Sequence, residues 1–157
     1  MRRSGLQAEL KQTRPFRSSG EEAAVALLRT ADLLRREFAA VLAPTDITVQ
    51  QYNVLRILRG AGAAGLPTLE IAERLIERAP GITRLVDCLE DAGLVARERS
   101  TEDRRAVVCR ATSKGLALLA GLDEAVDAAD ESALGMLTER ERRELIRVLE
   151  KVREAKS

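Results

Sequence analysis

The chain has 157 residues, of which 45% are hydrophobic and 32% are charged, enough apolar content for one domain with an ordinary core. Lysine and arginine number 26 against 25 acidic residues, so the net charge of +1 does not by itself indicate a nucleic-acid-binding protein. Histidine is absent and there are two cysteines, which argues against a histidine-dependent catalytic centre and against a zinc site. No apolar run reaches the length of a membrane span, and we expect a cytoplasmic protein.

Residues 1–18 form a basic leader, with five basic side chains against Glu9 alone. The leader also contains Pro15, which interrupts regular structure. It is compatible with a frayed tail, with a helix that packs on a partner subunit, or with an additional phosphate contact. The sequence leaves these three interpretations open.

A first long helix is predicted over residues 21–43. The segment Ser-Gly-Glu-Glu at 19–22 has the pattern of a capping box, and Pro44 follows the predicted end. Apolar residues recur along one face at helical spacing: Leu27, Ala31, Leu34, Phe38 and Leu42. A helix of this length is longer than a small compact core needs, so we expect part of it to pack elsewhere.

The next helix is predicted to start at Thr48, where Thr48 and Gln51 give a second capping signal. Its apolar residues are assigned to the core: Tyr52, Val54, Leu55 and Leu58. The glycine-rich segment 60–65 ends it. A tyrosine can line a ligand pocket, but a core or interface position is the more common one for Tyr52.

Residues 68–92 are predicted to form a helix-turn-helix. A short helix begins at Thr68 with Leu69, Ala72 and Leu75 facing inward. A second helix begins around Pro80, runs to Ala92 and stops at Gly93. Its apolar residues lie on one face: Ile82, Leu85, Val86 and Leu89. Two short helices joined by a tight turn describe the motif.

The outward face of the second helix carries Gly81, Thr83, Arg84 and Asp87. A hydroxyl and a guanidinium near the start of a helix can reach base edges when that end points into a major groove. Solvated helix surface is the other interpretation, and the helix alone does not decide between them. The segment that follows favours DNA.

Residues 94–112 are predicted to form a wing of two strands, 94–100 and 106–112, around a charged tip. Five arginines lie between positions 97 and 110 against three acidic residues, so the wing is locally basic. A helix-turn-helix followed by such a wing is a winged helix. The predicted fold is therefore mainly α, with a small two- or three-stranded β wing.

Two more helices are predicted after the wing, over 113–134 and 138–153. Thr112 caps the first, with Leu119 and Leu122 among its inward residues, and Thr138 opens a third capping box before the second. The long helices at both ends of the chain have apolar stripes without a core of their own to cover. We expect a homodimer in which these dimerisation helices intertwine.

Four segments in fixed order and spacing resemble the MarR family of transcriptional regulators, a resemblance that extends from about residue 21 to 152. They are Thr-Arg-Leu-Val-Asp at 83–87, Leu-Glu-Asp-Ala-Gly-Leu-Val at 89–95, Asp-Arg-Arg at 103–105 and Ala-Thr-Ser-Lys-Gly at 111–115. The resemblance implies one winged-helix domain over residues 19–155. It also implies a homodimeric repressor that binds double-stranded DNA and is released by a small-molecule effector of unknown identity.

On this interpretation Thr83 and Arg84 read bases in the major groove, while Arg105 and Arg104 enter the minor groove at the wing tip. Asp103 braces the wing by pairing with an arginine.

The chain departs from the family pattern in the turn before the second helix, which lacks the usual serine cap. We interpret Arg78 as a residue that contacts the DNA backbone, and Gly81 as a position where the protein backbone comes close to a phosphate. The alternative for Arg78 is a surface arginine without a function.

Cys88 replaces a basic residue that the family often has, and Cys88 and Cys109 are both expected to be reduced thiols with packing roles. No cofactor and no metal is expected. An enzyme is not supported, since the sequence has no nucleophile–base pair and no glycine-rich phosphate loop. The remaining alternative is a winged-helix protein-interaction module without specific DNA binding.

Overall fold

A computed structural model of the chain describes residues 5–78, 80–100 and 107–155. Within these ranges the fold is mainly helical with one small antiparallel sheet, as predicted. The elements are α1 (Gly5–Glu9), α2 (Ser19–Leu42), α3 (Val49–Ala61), α4 (Thr68–Arg74), α5 (Ile82–Asp91), β1 (Val95–Arg99), β2 (Val107–Ala111), α6 (Ser113–Leu134) and α7 (Glu139–Glu154). None of the helices in the described ranges is long and apolar enough to cross a membrane.

The chain divides into two compact units, the first ending at Phe38 and the second beginning at Ala39. The boundary lies inside α2, and the assignment of one domain to residues 19–155 stays a prediction. In the first unit, Arg29 on α2 donates a 2.8 Å hydrogen bond to Glu9 at the end of α1. Part of the basic leader is therefore helical and is joined to α2 by an ion pair.

The cap of α2 lies one residue earlier than predicted. The backbone N–H of Glu21 donates to Oγ of Ser18 at 3.1 Å, and the carboxylate of Glu21 accepts from the backbone N–H of Arg17 at 2.6 Å. Ser19 is already the first helical residue. The capping box was predicted at Ser19 and lies at Ser18. The two adjacent serines have the same side chain, and only the backbone geometry determines which one caps the helix.

The core of the second unit is built around α3. Its start has the predicted capping box, in which the backbone N–H of Gln51 donates to Oγ1 of Thr48 and the amide oxygen of Gln51 accepts from the Thr48 backbone. The four residues assigned to the core are all buried, at 4% exposure or less: Tyr52, Val54, Leu55 and Leu58. The prediction of a core position for Tyr52 is confirmed.

The prediction of which face of α4 points inward was wrong. Ile71 is fully buried, whereas Leu69, predicted to face inward, is 76% exposed. Positions 69 and 71 lie on nearly opposite sides of a helix, since each residue advances about 100°. Because α4 has only seven residues, its apolar spacing fits two phases, and packing decides between them.

The helix α5 starts at Ile82, two residues later than predicted. Gly81 precedes it with φ of 95° and ψ of 35°, a left-handed conformation that no helix can include, so Pro80 stands outside the helix. The buried face is as predicted, with Val86 and Leu89 fully buried. Gly93, with φ of 70°, ends the helix as expected.

The wing consists of β1 and β2 in antiparallel register, from Val95 opposite Ala111 to Arg99 opposite Val107. Leu66 forms an isolated antiparallel bridge to β2: its N–H donates to the carbonyl of Cys109 at 3.0 Å, and its carbonyl accepts from the Cys109 N–H at 2.8 Å. This matches the expectation of a two- or three-stranded sheet. The predicted tip lies outside the described residues.

Beyond the wing, Thr112 caps α6 by accepting from the backbone N–H of Gly115 at 3.1 Å, and Leu119 and Leu122 pack into the core. The helix α7 is different, because four of its apolar residues remain 39–55% exposed: Leu145, Ile146, Val148 and Val152. Most of the stripe on α7 thus has no cover among the described residues.

Candidate nucleic-acid interface

The start of α5 presents the side chains predicted to contact DNA. Thr83 and Arg84 are exposed in its first turn, and Arg78 is exposed in the turn before it. Gly81 occupies the cap position and contributes no side-chain hydrogen bond. The first backbone N–H groups of α5 therefore keep their capacity to bind an anion, which the helix dipole favours.

Ion pairing separates five arginines of this region into two groups. Arg74, Arg97 and Arg110 each form an ion pair with a carboxylate. Arg78 and Arg84 have no such partner in the part of the chain that the structure describes. Unpaired guanidiniums can bind phosphate or guanine without first breaking an internal ion pair.

Arg97 on β1 joins the wing to α5. Its guanidinium donates to Asp87 at 2.6 Å and also to Glu90, whose carboxylate accepts from the Arg97 backbone N–H at 3.1 Å. Partial burial lowers the pKa of Arg97, but the hydrogen bonds to Asp87 and Glu90 outweigh it, so that pKa lies above its ordinary value. The strand and the helix are thus held by a permanently charged bridge.

A second contact holds the base of β2. Arg110 pairs with Glu98 across the sheet and donates to the backbone carbonyl of Ala63 at 2.6 Å. Ala63 lies in the 3-10 turn Gly62–Ala64 that follows α3. Both strands of the wing are therefore tied at their base to helical parts of the fold.

Two residues that help to hold the candidate interface in place, Arg97 and Asn53, were not identified from the sequence. Arg97 was counted only as part of a basic wing, since its partners depend on how β1 lies against α5. Asn53 was not singled out, although it is buried on α3 and its Oδ1 accepts from the backbone N–H of Ile76 at 3.1 Å. An amide among otherwise buried core positions was the signal that pointed to it.

Three predicted wing residues, Asp103, Arg104 and Arg105, lie outside the described residues. Both cysteines are free. Cys109 is fully buried as expected, but the packing role expected for Cys88 was wrong, because it is exposed. The buried face of α5 passes through Val86 and Leu89, and this leaves Cys88 on the outer flank. No group of three metal-ligating side chains occurs in the described ranges.

A helix-turn-helix, a wing and two arginines without an ion-pair partner among the described residues together define a winged-helix DNA-binding protein. A model described as the MarR family matches residues 47–107. An HTH-type transcriptional repressor of Mycobacterium tuberculosis is 34% identical over 126 residues, which cover 80% of this chain and 89% of the relative. The crystal structure of a MarR transcription factor from Planctomyces limnophilus has 43% identity and a TM-score of 0.64, covering 86% of this chain and 98% of that one.

Two further crystal structures contain ligands. A MarR mutant from E. coli complexed with operator DNA has 27% identity and a TM-score of 0.72, covering 81% of this chain and 90% of that one. The MarR family protein of Mycobacterium tuberculosis in complex with salicylic acid has 33% identity and a TM-score of 0.63, covering 82% and 94%.

The chain belongs to the MarR family and is a DNA-binding transcriptional regulator, which confirms the family and the function predicted from the sequence.

Proposed function

We propose that this regulator is a homodimeric repressor that binds a pseudo-palindromic operator and is released by a small-molecule effector. The observation that carries the proposal is the exposed start of α5, where Thr83 and Arg84 stand beside backbone N–H groups that no side chain caps, and where Arg84 has no ion-pair partner among the described residues. This is the end of a helix that a winged helix inserts into the major groove. The E. coli relative bound to operator DNA supports it.

In this proposal Thr83 and Arg84 contact base edges, and Arg78 and the backbone at Gly81 contact phosphates. Arg104 and Arg105 enter the minor groove, where a guanidinium is favoured over A·T-rich sequence without base-specific hydrogen bonds. Asp103 braces the wing tip. The bridge from Arg97 to Asp87 and Glu90 would keep the wing at a fixed distance from α5, so that both grooves are reached together.

The dimer is supported by the uncovered apolar residues of α7, of which Ile146 and Val152 are 55% and 49% exposed. A second copy would bury this stripe, and its two-fold symmetry would match two operator half-sites. The location in the cytoplasm follows from the proposed access to genomic DNA.

The proposed effector is a small organic acid, supported by the salicylic acid bound to the Mycobacterium tuberculosis relative. The chain has an aromatic fraction of only 2%, so an effector pocket in it would be lined mostly by aliphatic side chains. Selection of bound fragments from the source genome would identify the operator, and the neighbouring genes would indicate the effector. Enrichment of no fragment above background would favour the protein-interaction alternative.

The contribution of Arg84 can be separated from that of charge alone. Arg84→Ala is expected to cost about 1–3 kcal/mol on the selected operator and much less on random DNA, because a base contact is lost as well as a charge. Arg143→Ala is the matched control, since Arg143 is an exposed arginine paired with Glu139 on α7. Fluorescence anisotropy on both DNAs measures the difference. Equal losses on operator and random DNA would assign Arg84 to phosphate.

A further inference from the structure

The turn between α4 and α5 is held from α3 by a buried amide. Asn53 lies on α3 between two core residues and is 6% exposed. Its Oδ1 accepts a hydrogen bond of 3.1 Å from the backbone N–H of Ile76, two residues after α4 ends. The bond joins positions 23 apart in sequence, so it fixes the turn relative to the core of the second unit.

Core stability does not explain an amide at this position. The Nδ2 atom of Asn53 is buried and has no hydrogen-bond acceptor among the described residues. A buried polar group without a partner is less favourable than an apolar group of the same shape. Leucine has the same branched skeleton, in a larger volume, and carries no such penalty. What leucine lacks is an acceptor for the Ile76 N–H.

The backbone departs from helical geometry on both sides of the turn that this bond holds. Leu75 leaves α4 with φ of −64° and ψ of 140°, which is extended, and Gly81 enters α5 in the left-handed region. Between them lies Arg78, exposed and without an ion-pair partner in the described part of the chain. The direction of Arg78 therefore depends on the backbone of the turn and not on contacts of its own side chain.

We propose that Asn53 is a positioning residue for DNA binding, which sets the backbone of residues 75–78 so that Arg78 and the start of α5 meet the operator together. This inference rests on the proposed function, in which Arg78 contacts the DNA backbone. Asn53 itself is buried and does not touch DNA. It acts through the Ile76 N–H.

Two substitutions at position 53 separate positioning from packing. Asn53→Leu removes the acceptor and keeps the branched side-chain skeleton in a larger volume, and the N–H that loses its acceptor belongs to Ile76, a residue that is 77% exposed. We expect a melting temperature equal to or above that of the parent, with operator binding weakened by about tenfold or more. Asn53→Asp keeps the acceptor but buries a carboxyl group. We expect a lower melting temperature with operator affinity within about threefold of the parent.

A double-mutant cycle then tests whether Arg78 is the group that is positioned. In the parent, Arg78→Ala should weaken binding and flatten the dependence of log affinity on log salt by about 1.8, one phosphate contact for each subunit of the dimer. In the Asn53→Leu background the same change should have little further effect. Sites without shared partners usually have additive effects, so coupling between positions 53 and 78 would indicate that Asn53 orients Arg78 through the backbone of the turn.

The outcomes distinguish the inference from the function on which it rests. Operator affinity that follows the melting temperature across both variants would make Asn53 an ordinary core residue and overturn the inference. So would an equal effect of Arg78→Ala in the two backgrounds. An Arg78→Ala protein with unchanged affinity and salt slope would overturn both the inference and the backbone contact of Arg78. Failure of the parent to bind any selected operator would instead refute the proposed function.

Discussion

Arg97 is a single side chain that joins two elements of the proposed DNA-binding surface. It lies on β1, but its described side-chain partners, Asp87 and Glu90, are on α5. Without the guanidinium, two carboxylates would stand uncompensated beside the proposed recognition surface, and the strand would lose its tie to the helix. Both effects oppose binding to a polyanion.

We therefore expect Arg97→Ala to weaken operator binding by about tenfold or more, with a loss of folding stability of only about 1 kcal/mol, because the bridge is partly exposed to solvent. Operator titration and thermal unfolding measure the two quantities. Adding Asp87→Asn and Glu90→Gln to Arg97→Ala removes the uncompensated negative charge, but it does not restore the link between β1 and α5. Full recovery would show that repulsion accounts for the defect, and an Arg97→Ala protein with parental affinity would remove the bridge from the mechanism.

At the scale of single elements, close backbone approach fixes where α6 begins. A Cβ atom added at Gly115 would collide with the backbone carbonyl of Leu94 and lie 3.3 Å from Cδ2 of Leu55. Gly115 thus allows the first turn of α6 to pack directly on the end of the α5–β1 connection. No rotamer of a larger residue avoids a collision with backbone.

Gly115→Ala is expected to lower the free energy of unfolding by about 1–3 kcal/mol through overpacking. Gly121→Ala in the same helix is the matched control, since nothing lies within 4 Å of its added Cβ. The control should be stabilised by up to about 1 kcal/mol, because alanine favours the helix over glycine. Urea unfolding of both variants gives the comparison. A neutral Gly115→Ala would mean that α6 can shift away from Leu94 without cost.

The positions of the helices and strands were largely predictable from the sequence. Which face of a short helix is buried, and which side chains contact each other, were not. Strong periodicity over ten residues predicted the buried face of α5, including Val86 and Leu89. The seven residues of α4 were too few to place Leu69 correctly. The helix α5 starts later than predicted because Gly81 has a left-handed φ, which belongs to the conformation of the turn and cannot be deduced from the residue type. The contacts of Arg97 and Asn53 depend on tertiary packing, to which local periodicity is blind.

At the scale of the whole molecule, the exposed apolar stripe of α7 is a feature that the described part of one chain does not explain. Arg142 ties α7 to α6 by donating to the carbonyl of Leu134 at 3.2 Å, so α7 is attached to its neighbour while its apolar face stays open. Burial of such a face against a second copy contributes roughly 25 cal/mol for each Å² removed from water.

Deletion of residues from Thr138 onward is expected to convert the dimer into monomers and to abolish specific DNA binding, since one half-site alone supplies too few contacts. A chain that lacks only residues 155–157 keeps α7 and serves as control. Sedimentation velocity reports the assembly, and circular dichroism reports folding. A deletion variant that sediments as a folded dimer would contradict the role of α7.

The near balance of charge, 26 basic against 25 acidic residues, also affects how the protein finds its operator in a cell. Non-specific affinity for DNA grows with the number of phosphates that are neutralised, and Arg74, Arg97 and Arg110 already neutralise carboxylates of their own chain. A genome offers on the order of 10⁶–10⁹ competing sites, and every molecule retained at one of them is withdrawn from the search. Weak retention leaves a larger free fraction, so that a small number of copies is enough to keep one operator occupied.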